Sequence, residues 1–316
     1  SEESAYAQLG HGGEFTFSNQ TGDITLVDVN NIDFNAGSGD FAYVQLGHGG
    51  SGVDGDQMGD INILQANHLN FDGGSGEGAY AQLGHGGTSR QGEVESEASQ
   101  RGDINIVQAN DLSFAAGIGE AAYAQLGHGG YSTVGDQTGN IAVRLVGSNL
   151  FLLAGTGTDA YAQLGHGDAS GNGTIDQIIG NINVIIDGSA VLVGNSTTAP
   201  ALLGHATTTT AGITGNLTLA IDQINPIADN GGRLFMNQFS AIDMGGAPNQ
   251  VRIFGTRRLG NVLADGAVIN GVVVDSSLPP GTFTGDRWNP NVEFTNWNYE
   301  QWGPAPNQYT LAQPGP

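Results

Sequence analysis

The sequence predicts an all-β protein, a parallel β-helix in which three strands form each coil. An octapeptide, Tyr-Ala-Gln-Leu-Gly-His-Gly-Gly at residues 6–13, returns in four further close copies and in a decayed copy that ends at His205. The histidines of these copies are separated by 37, 37, 43, 38 and 39 residues, a period typical of stacked structural repeats. Between the copies, apolar residues recur at every second position, the spacing of a β-strand with one buried face.

The first predicted strand of each coil follows a Gly-Asp or Gly-Asn pair. These pairs are Gly22-Asp23, Gly59-Asp60, Gly102-Asp103, Gly139-Asn140, Gly180-Asn181 and Gly215-Asn216. Aliphatic residues two apart, such as Ile61 and Ile63, then place one face toward the interior. We expect the short Asp or Asn side chain to bond local backbone amides in a turn.

The second and third predicted strands complete the coil. The second carries pairs such as Leu69/Phe71 and ends in a Gly-rich corner, and the third is the octapeptide itself. In the octapeptide, Ala and Leu share one parity, and Tyr and Gln share the other. Stacked coils about 4.8 Å apart would form three parallel sheets around apolar ladders.

A β-propeller is the main alternative fold, because ~40 residues is also the length of a blade. Blades use four strands and lack the regular Gly-Asp-Ile register seen here, so the pattern favours the β-helix. The chain shows no sustained helical spacing, and its 53 Gly residues disfavour helices.

The repeat divides the chain into three parts. Residues 1–223 carry the regular β-helix repeats, residues 224–277 continue as irregular β coils, and residues 278–316 form an extended tail rich in Pro and aromatic residues. The tail is predicted either to dock on a neighbouring subunit or to cap its own coils. Its candidate docking residues are Trp288, Phe294, Trp297, Trp302 and Tyr309.

The composition limits the partners of the protein. Thirty-one acidic residues against 8 Arg, with no Lys, give a formal net charge of −23, which disfavours nucleic acid and anionic lipid. No apolar run approaches the ~18 residues that span a bilayer, so membrane insertion is not expected. With no Cys, the chain cannot rely on disulfides, and we expect stacking to hold the coils together.

The octapeptide histidines are predicted to form a ladder along one edge of the coil. They are His11, His48, His85, His128, His166 and His205. A metal site needs several ligands that converge on one point, whereas a ladder supplies one per coil. The favoured interpretation is therefore structural, with hydrogen bonds across the Gly-rich corner.

The Tyr and Gln residues of the octapeptide should stack as a second ladder. They are Tyr6, Tyr43, Tyr80, Tyr123 and Tyr161, with Gln8, Gln45, Gln82, Gln125 and Gln163. Such stacks stabilise neighbouring coils. An exposed face of this kind would also be a candidate ribbon for binding glycans.

The segments between the octapeptide and the next Gly-Asp or Gly-Asn pair vary most, so we expect them on one ridge. They span residues 14–21, 51–58, 88–101, 131–138, 168–179 and 206–214. No cofactor is implied by any motif. Calcium bound by acidic ridge residues, such as Glu93, Glu95 and Glu97, is the one alternative left open.

The repeat, with its Gly-Asp-Ile run, Gly-rich corner and Ala-Tyr-Ala-Gln-Leu-Gly-His-Gly-Gly strand, resembles those of filamentous-haemagglutinin-like bacterial surface proteins. The resemblance covers residues 1 to about 220. It implies a right-handed β-helix, secretion across the bacterial envelope and a role as an adhesin or biofilm-matrix protein.

These observations predict an extracellular structural protein rather than an enzyme. The expected partner is the chain itself, joined head to tail in a filament or surface fibre. The alternative is an adhesin stalk that binds glycan or a host surface. A polysaccharide-acting β-helix enzyme is a third possibility, for which no catalytic set is identifiable.

Overall fold

The computed structural model describes residues 5–88, 98–206, 212–221, 234–245, 249–255, 262–263, 267–269, 272–273 and 292–296. Within these ranges every helix or strand element is a β-strand, and the strands stack in parallel sheets from coil to coil. The predicted parallel β-helix is confirmed.

Each coil runs from one octapeptide strand to the next. Coil 1 contains β1 (Tyr6–Leu9), β2 (Gln20–Thr21), β3 (Ile24–Leu26) and β4 (Val29–Asn35). Coil 2 contains β5 (Tyr43–Leu46), β6 (Gly49–Ser51), β7 (Gln57–Met58), β8 (Ile61–Ile63) and β9 (Ala66–Asp72). Coil 3 contains β10 (Ala81–Leu83), β11 (Gly86–Thr88), β12 (Gln100–Arg101), β13 (Ile104–Ala109) and β14 (Asp111–Ala115).

The next three coils repeat the pattern. Coil 4 contains β15 (Ala124–Leu126), β16 (Gln137–Thr138), β17 (Ile141–Leu145) and β18 (Leu150–Leu153). Coil 5 contains β19 (Ala162–Leu164), β20 (Gln177–Ile179), β21 (Ile182–Ile186) and β22 (Ala190–Val193). Coil 6 contains β23 (Ala201–Gly204), β24 (Gly212–Thr214), β25 (Leu217–Ile221) and β26 (Leu234–Met236).

The stack continues beyond the regular repeats. A further coil contains β27 (Ser240–Asp243), β28 (Val251–Gly255) and β29 (Val262–Leu263). The last described strands are β30 (Val268–Ile269), β31 (Val272–Val273) and β32 (Val292–Asn296). Among the described strands, only β30 and β31 pair in the antiparallel sense.

Four sheets run along the stack, and β6 pairs with β11 in a fifth sheet of two strands. The octapeptide sheet is β1-β5-β10-β15-β19-β23-β27-β30-β31, and the ridge sheet is β2-β7-β12-β16-β20-β24. The Gly-Asp sheet is β3-β8-β13-β17-β21-β25-β28-β32, and the phenylalanine sheet is β4-β9-β14-β18-β22-β26-β29. The ridge sheet is additional to the three predicted strands per coil, and its short strands lie in the segments expected to be loops.

The apolar core lies between the octapeptide, Gly-Asp and phenylalanine sheets. Equivalent residues pair in register, as Leu46 does with Leu83 and Ile61 with Ile104, so each inward position forms an apolar ladder. Leu46, Leu83, Ile61 and Ile104 are fully buried. Burial of each such side chain contributes roughly 1.5–3 kcal/mol, which is the main term that stabilises the stack.

The ridge segments fold back over the outer face of the octapeptide sheet. Tyr43, Tyr80, Tyr123 and Tyr161 form a buried cluster separate from the apolar core, with the ridge residues Tyr131 and Ala169 packed against it. Each coil therefore encloses two compartments. We call the one between the octapeptide sheet and the ridge segments the ridge lobe.

Candidate functional site

The octapeptide histidines stack along the neck between the apolar core and the ridge lobe. Adjacent ring centroids are 4.7 to 5.0 Å apart along the whole series. The six residues brought together are His11, His48, His85, His128, His166 and His205. The spacing follows from the parallel register of the flanking strands, which sets equivalent residues about 4.8 Å apart.

The imidazoles from His48 onward each bond the preceding coil at two points. The Nδ1 atom of His128 accepts a hydrogen bond from the backbone N–H of His85 at 3.0 Å, and its Nε2 lies 2.7 Å from the carbonyl oxygen of Gly102. A nitrogen that accepts carries no proton, so Nε2 must carry the hydrogen and donate it to Gly102. The same pattern holds for His48, His85, His166 and His205. The stack requires neutral histidine in one tautomer.

Burial keeps these histidines uncharged. It lowers the pKa of His128 and of His205 from 6.5 to about 4. Burial, together with neighbouring imidazoles, holds the pKa of His85 and His166 well below 6.5. At neutral pH the ladder is therefore a set of fixed hydrogen bonds rather than a proton relay.

The glycines beside each histidine permit this close stacking. Gly84 has a φ of +151°, and a Cβ built on it would lie 1.9 Å from the carbonyl oxygen of Gly127 in the next coil. No side chain fits at that distance. The Gly-His-Gly spacing is thus required by the close approach of the backbones of adjacent coils.

The octapeptide glutamines join the backbone of adjacent coils. The Nε2 atom of Gln45 donates to the carbonyl oxygens of His48, Gly84 and Gly86, at 3.2, 3.0 and 3.1 Å. Gln82 and Gln125 make the equivalent three bonds, each to its own octapeptide and to that of the next coil. Gln163 makes two of them. The His48 carbonyl also accepts from the backbone N–H of Gly86 at 3.0 Å, so the glutamine amide adds to the backbone bonds that join adjacent coils at the Gly-rich corner.

The tyrosines stack, but they do not form an exposed ribbon. Ring centroids lie 4.8 to 5.0 Å apart from Tyr6 to Tyr161, with nearly parallel planes. Tyr43, Tyr80, Tyr123 and Tyr161 are at most 1% exposed, and the glutamines of the same coils are fully buried. The prediction of a glycan-binding ribbon is wrong for coils 2 to 5, because the ridge segments cover this face. In coil 1, Tyr6 is 50% exposed.

The Asp and Asn residues of the Gly-Asp and Gly-Asn pairs bond the next coil rather than a local turn. The carboxylate of Asp23 accepts from the backbone N–H of Asp60 at 2.9 Å, and Asp60 accepts from Asp103 at 2.8 Å. Asn140, Asn181 and Asn216 continue the series. The predicted acceptor role is right, but the expected local turn is wrong, because parallel stacking brings the next coil nearer.

A second glutamine ladder in the ridge sheet was not anticipated from the sequence. Gln20, Gln57, Gln100 and Gln137 pair in register and are at most 4% exposed. The signal was present, because each stands two residues before a Gly-Asp or Gly-Asn pair. In coil 5 the register passes from Gln137 to Ile178.

One ridge segment is organised by an acidic residue. Asp168 replaces the last glycine of the octapeptide and is 1% exposed. Its carboxylate accepts from the backbone N–H groups of Ser132, Ser170 and Asn172 at 2.8, 2.9 and 3.2 Å. Burial raises the pKa of Asp168, and these bonds act against the rise.

Neither a metal-binding group nor a membrane-spanning helix is found among the described residues. There, no set of three or more His, Asp or Glu side chains is placed to hold a metal ion. Glu93, Glu95 and Glu97 lie outside the described residues. Nor does the described part of the chain contain a helix of the length and apolarity needed to cross a membrane.

The candidate docking residues of the tail fall largely outside the described structure. Trp288, Trp297, Trp302 and Tyr309 belong to segments that it does not describe. Phe294 lies in β32, which pairs in parallel with β28 of the same chain. The strand that carries Phe294 therefore extends the Gly-Asp sheet of its own molecule.

Comparison with protein-family models, with curated proteins and with solved structures finds no match to this chain.

Proposed function

We propose that this protein is an extracellular structural subunit that joins other copies end to end into a filament or surface fibre. The observation that carries the proposal is the register in which successive coils stack. Leu46 pairs with Leu83 and Ile61 pairs with Ile104, so every coil offers the next one the same apolar ladders. A coil of a second copy can continue these ladders in the same way.

The backbone supports the same proposal. Four sheets run along the stack, and each gains one parallel strand per regular coil. A strand pairs with its neighbour through a row of N–H and C=O groups, and the same kind of row can pair with a strand of another chain. We propose that a coil of a second copy adds to the stack in this way.

The charge of the chain supports end-to-end rather than side-by-side contact. A net charge of −23 repels neighbouring rods along their length. The cross-section of a coil buries apolar side chains instead, so contact there opposes the repulsion. Heterologous contacts of this kind do not close and produce filaments.

A candidate contact for the tail lies on the outside of the phenylalanine sheet. One outward register position carries Asp33, Asn70 and Ser113 in coils 1 to 3. It then carries Phe151, Val191 and Phe235 in coils 4 to 6, all partly exposed.

We propose that this apolar stripe receives the tail of a neighbouring copy through Trp297, Trp302 and Tyr309. Residues 297–316 follow β32 and contain two of the three Trp residues of the chain. Deletion of residues 297–316 should then shorten filaments, and Phe151→Asp should have the same effect; filaments of full length in both variants would refute this contact.

The location of the protein outside the cell is proposed from the resemblance of its repeat to bacterial surface proteins. Protease treatment of intact cells of the source organism tests it, because only a surface-exposed chain would be cleaved. The alternative role, an adhesin that binds glycan through the tyrosine ribbon, is not proposed, because that ribbon is buried in coils 2 to 5.

Electron microscopy and sedimentation of the purified full chain test the filament. We expect rods that lengthen with concentration. Ile118→Asp is the matched control for Phe151→Asp, since Ile118 is 67% exposed and lies outside the apolar stripe. Monomers at every concentration would contradict the proposal.

A further inference from the structure

The glutamine ladder of the ridge sheet leaves a row of buried acceptors without protein partners. The Oε1 atoms of Gln20, Gln57, Gln100 and Gln137 have no hydrogen-bond partner among the described residues. Parallel register sets them about 4.8 Å apart along the ridge lobe. A buried acceptor left unsatisfied costs about 1–3 kcal/mol, so a repeated row of them requires a donor.

The orientation of three of these amides, those of Gln20, Gln57 and Gln100, is fixed by their other end. The Nε2 atom of Gln100 donates to the carbonyl oxygen of Ala98 at 2.8 Å, and those of Gln20 and Gln57 donate to the corresponding carbonyls of Ser18 and Gly55. The reverse orientation would set two oxygens against each other. The Oε1 atoms therefore face away from these carbonyls.

A cavity lies at Gln57 and Gln100. Its lining also includes Thr88, Thr133 and Gly87, and its volume is about 20 Å³. About 10–15 Å³ suffices for one water molecule, so the cavity has room for water but not for an organic ligand.

The opposite wall supplies a donor. A Cβ on Gly87 would lie 2.7 Å from the Tyr80 hydroxyl, so this hydroxyl rests against the cavity lining. The Tyr80 hydroxyl has no hydrogen-bond partner among the described residues. One molecule that both donates and accepts would satisfy Tyr80 and the two amide oxygens together.

We infer that the ridge lobe holds a file of ordered water molecules, which donate to the Gln Oε1 atoms and accept from tyrosine hydroxyls. No lining residue of the cavity carries a charge. A cation would satisfy only the acceptors and would face the hydroxyl proton of Tyr80. The polar lobe would then be hydrated beside an apolar core from which water is excluded.

The sequence itself limits the length of the file. In coil 5, Ile178 takes the register of Gln137 and is fully buried. An aliphatic side chain offers no acceptor. The file should therefore extend through coils 1 to 4 and stop before Ile178. This inference does not depend on the proposed function.

A high-resolution crystal structure of the full chain, together with magnetic relaxation dispersion of water, tests the inference. We expect density within hydrogen-bond distance of Oε1 of Gln57 and Gln100, and none at Ile178. Gln100→Met removes one acceptor at similar volume and should reduce the number of long-lived waters by about one. Gln177→Met, at an exposed residue outside the file, should leave that number unchanged.

Two results would overturn the inference. One is a lobe without density beside Gln57 and Gln100 in the wild-type crystal, which does not depend on the folding of any variant. The other is replacement of the density by rubidium or thallium, detected by anomalous scattering, which would identify a monovalent cation site instead.

Discussion

The backbone N–H of His85 donates to Nδ1 of His128 in the next coil at 3.0 Å. The bond exists only while His128 is neutral, because a protonated imidazole has no acceptor nitrogen. Since burial lowers the pKa of His128 to about 4, the coil junction holds at neutral pH and carries a built-in sensitivity to acid.

The free energy of unfolding should therefore decrease as the pH is lowered below about 6.5. The unfolded chain binds protons at the ordinary histidine pKa of 6.5, whereas folded His128 and His205 do so only near pH 4. Between these values the unfolded state holds more protons. As the pH is lowered, each histidine therefore decreases the free energy of unfolding by about 1.4 kcal/mol per pH unit. Urea unfolding at constant ionic strength measures this slope.

A variant at the end of the ladder separates this effect from general acid sensitivity. Met244 follows His205 in register, so His205→Met extends a replacement that the chain already contains. It should reduce the slope by about 1.4 kcal/mol per pH unit, because one titrating group is lost. Asp72 and Asp168, whose pKa values burial raises, act in the opposite sense, but they are present in both proteins, so the difference between the two slopes isolates the histidine. Equal slopes for the wild type and His205→Met would refute the role of the ladder.

The glycine beside the histidine should not accept alanine. In Gly84→Ala the new methyl group would meet the Gly127 carbonyl oxygen at 1.9 Å, and the positive φ adds strain. We expect a loss of at least about 3 kcal/mol in the free energy of unfolding. Gly212→Ala is the control, because a Cβ there meets nothing within 4 Å, and its midpoint should hardly change. Equal effects of the two variants would contradict the packing argument.

Truncation of a buried tyrosine should destabilise the protein rather than remove a binding surface. Tyr80→Ala removes a fully buried ring that stacks on Tyr43 and Tyr123, and we expect a loss of about 3–5 kcal/mol. Tyr6→Ala changes the same residue type in the same register, but Tyr6 is 50% exposed and stacks on one side only, so the loss should be much smaller. Denaturant midpoints of the two variants compare them directly, and equal losses would argue against a covered tyrosine face.

The strands were predictable because period-two alternation is a local property of the sequence. Alternating pairs predict a strand and its inward face without knowledge of any other coil, as Ile61/Ile63 and Leu69/Phe71 do. The regular histidine spacing likewise indicates that His85 and His128 are equivalent positions. Stacking of coils then follows from the repeat alone.

What could not be predicted depends on contacts between segments distant in the sequence. Alternation shows that Tyr80 and Leu83 face opposite sides of a strand, but it does not show whether the second side is covered. The cover comes from ridge residues such as Tyr131, which lie in the next coil. The acceptor for the Asp103 amide was missed for the same reason, since Asp60 belongs to the previous coil.

The ladder of Asp and Asn residues on the Gly-Asp sheet predicts opposite effects for two substitutions of Asp60. Its carboxylate accepts from the Asp103 amide, and the ladder sets it between the side chains of Asp23 and Asp103. Asp60→Asn keeps the acceptor oxygen and removes a charge between two like charges. Its new N–H₂ can also donate to Asp23, as Asn181 does to Asn140 at 3.1 Å. We expect a gain of about 0.5 kcal/mol, because like charges directly opposite one another are destabilising.

Asp60→Ala removes the same charge but also the acceptor, which leaves the Asp103 amide without that bond. We expect a loss of about 1 kcal/mol, the usual net value of one hydrogen bond. Urea midpoints at low and high salt measure both variants. The gain from Asp60→Asn should shrink at high salt, because salt screens the repulsion that it relieves, whereas the loss from Asp60→Ala should persist. If both variants destabilise the chain equally at low salt, the acidic ladder depends on the charge itself and not on the hydrogen bond. Asn140, Asn181 and Asn216 make the same bond without a charge.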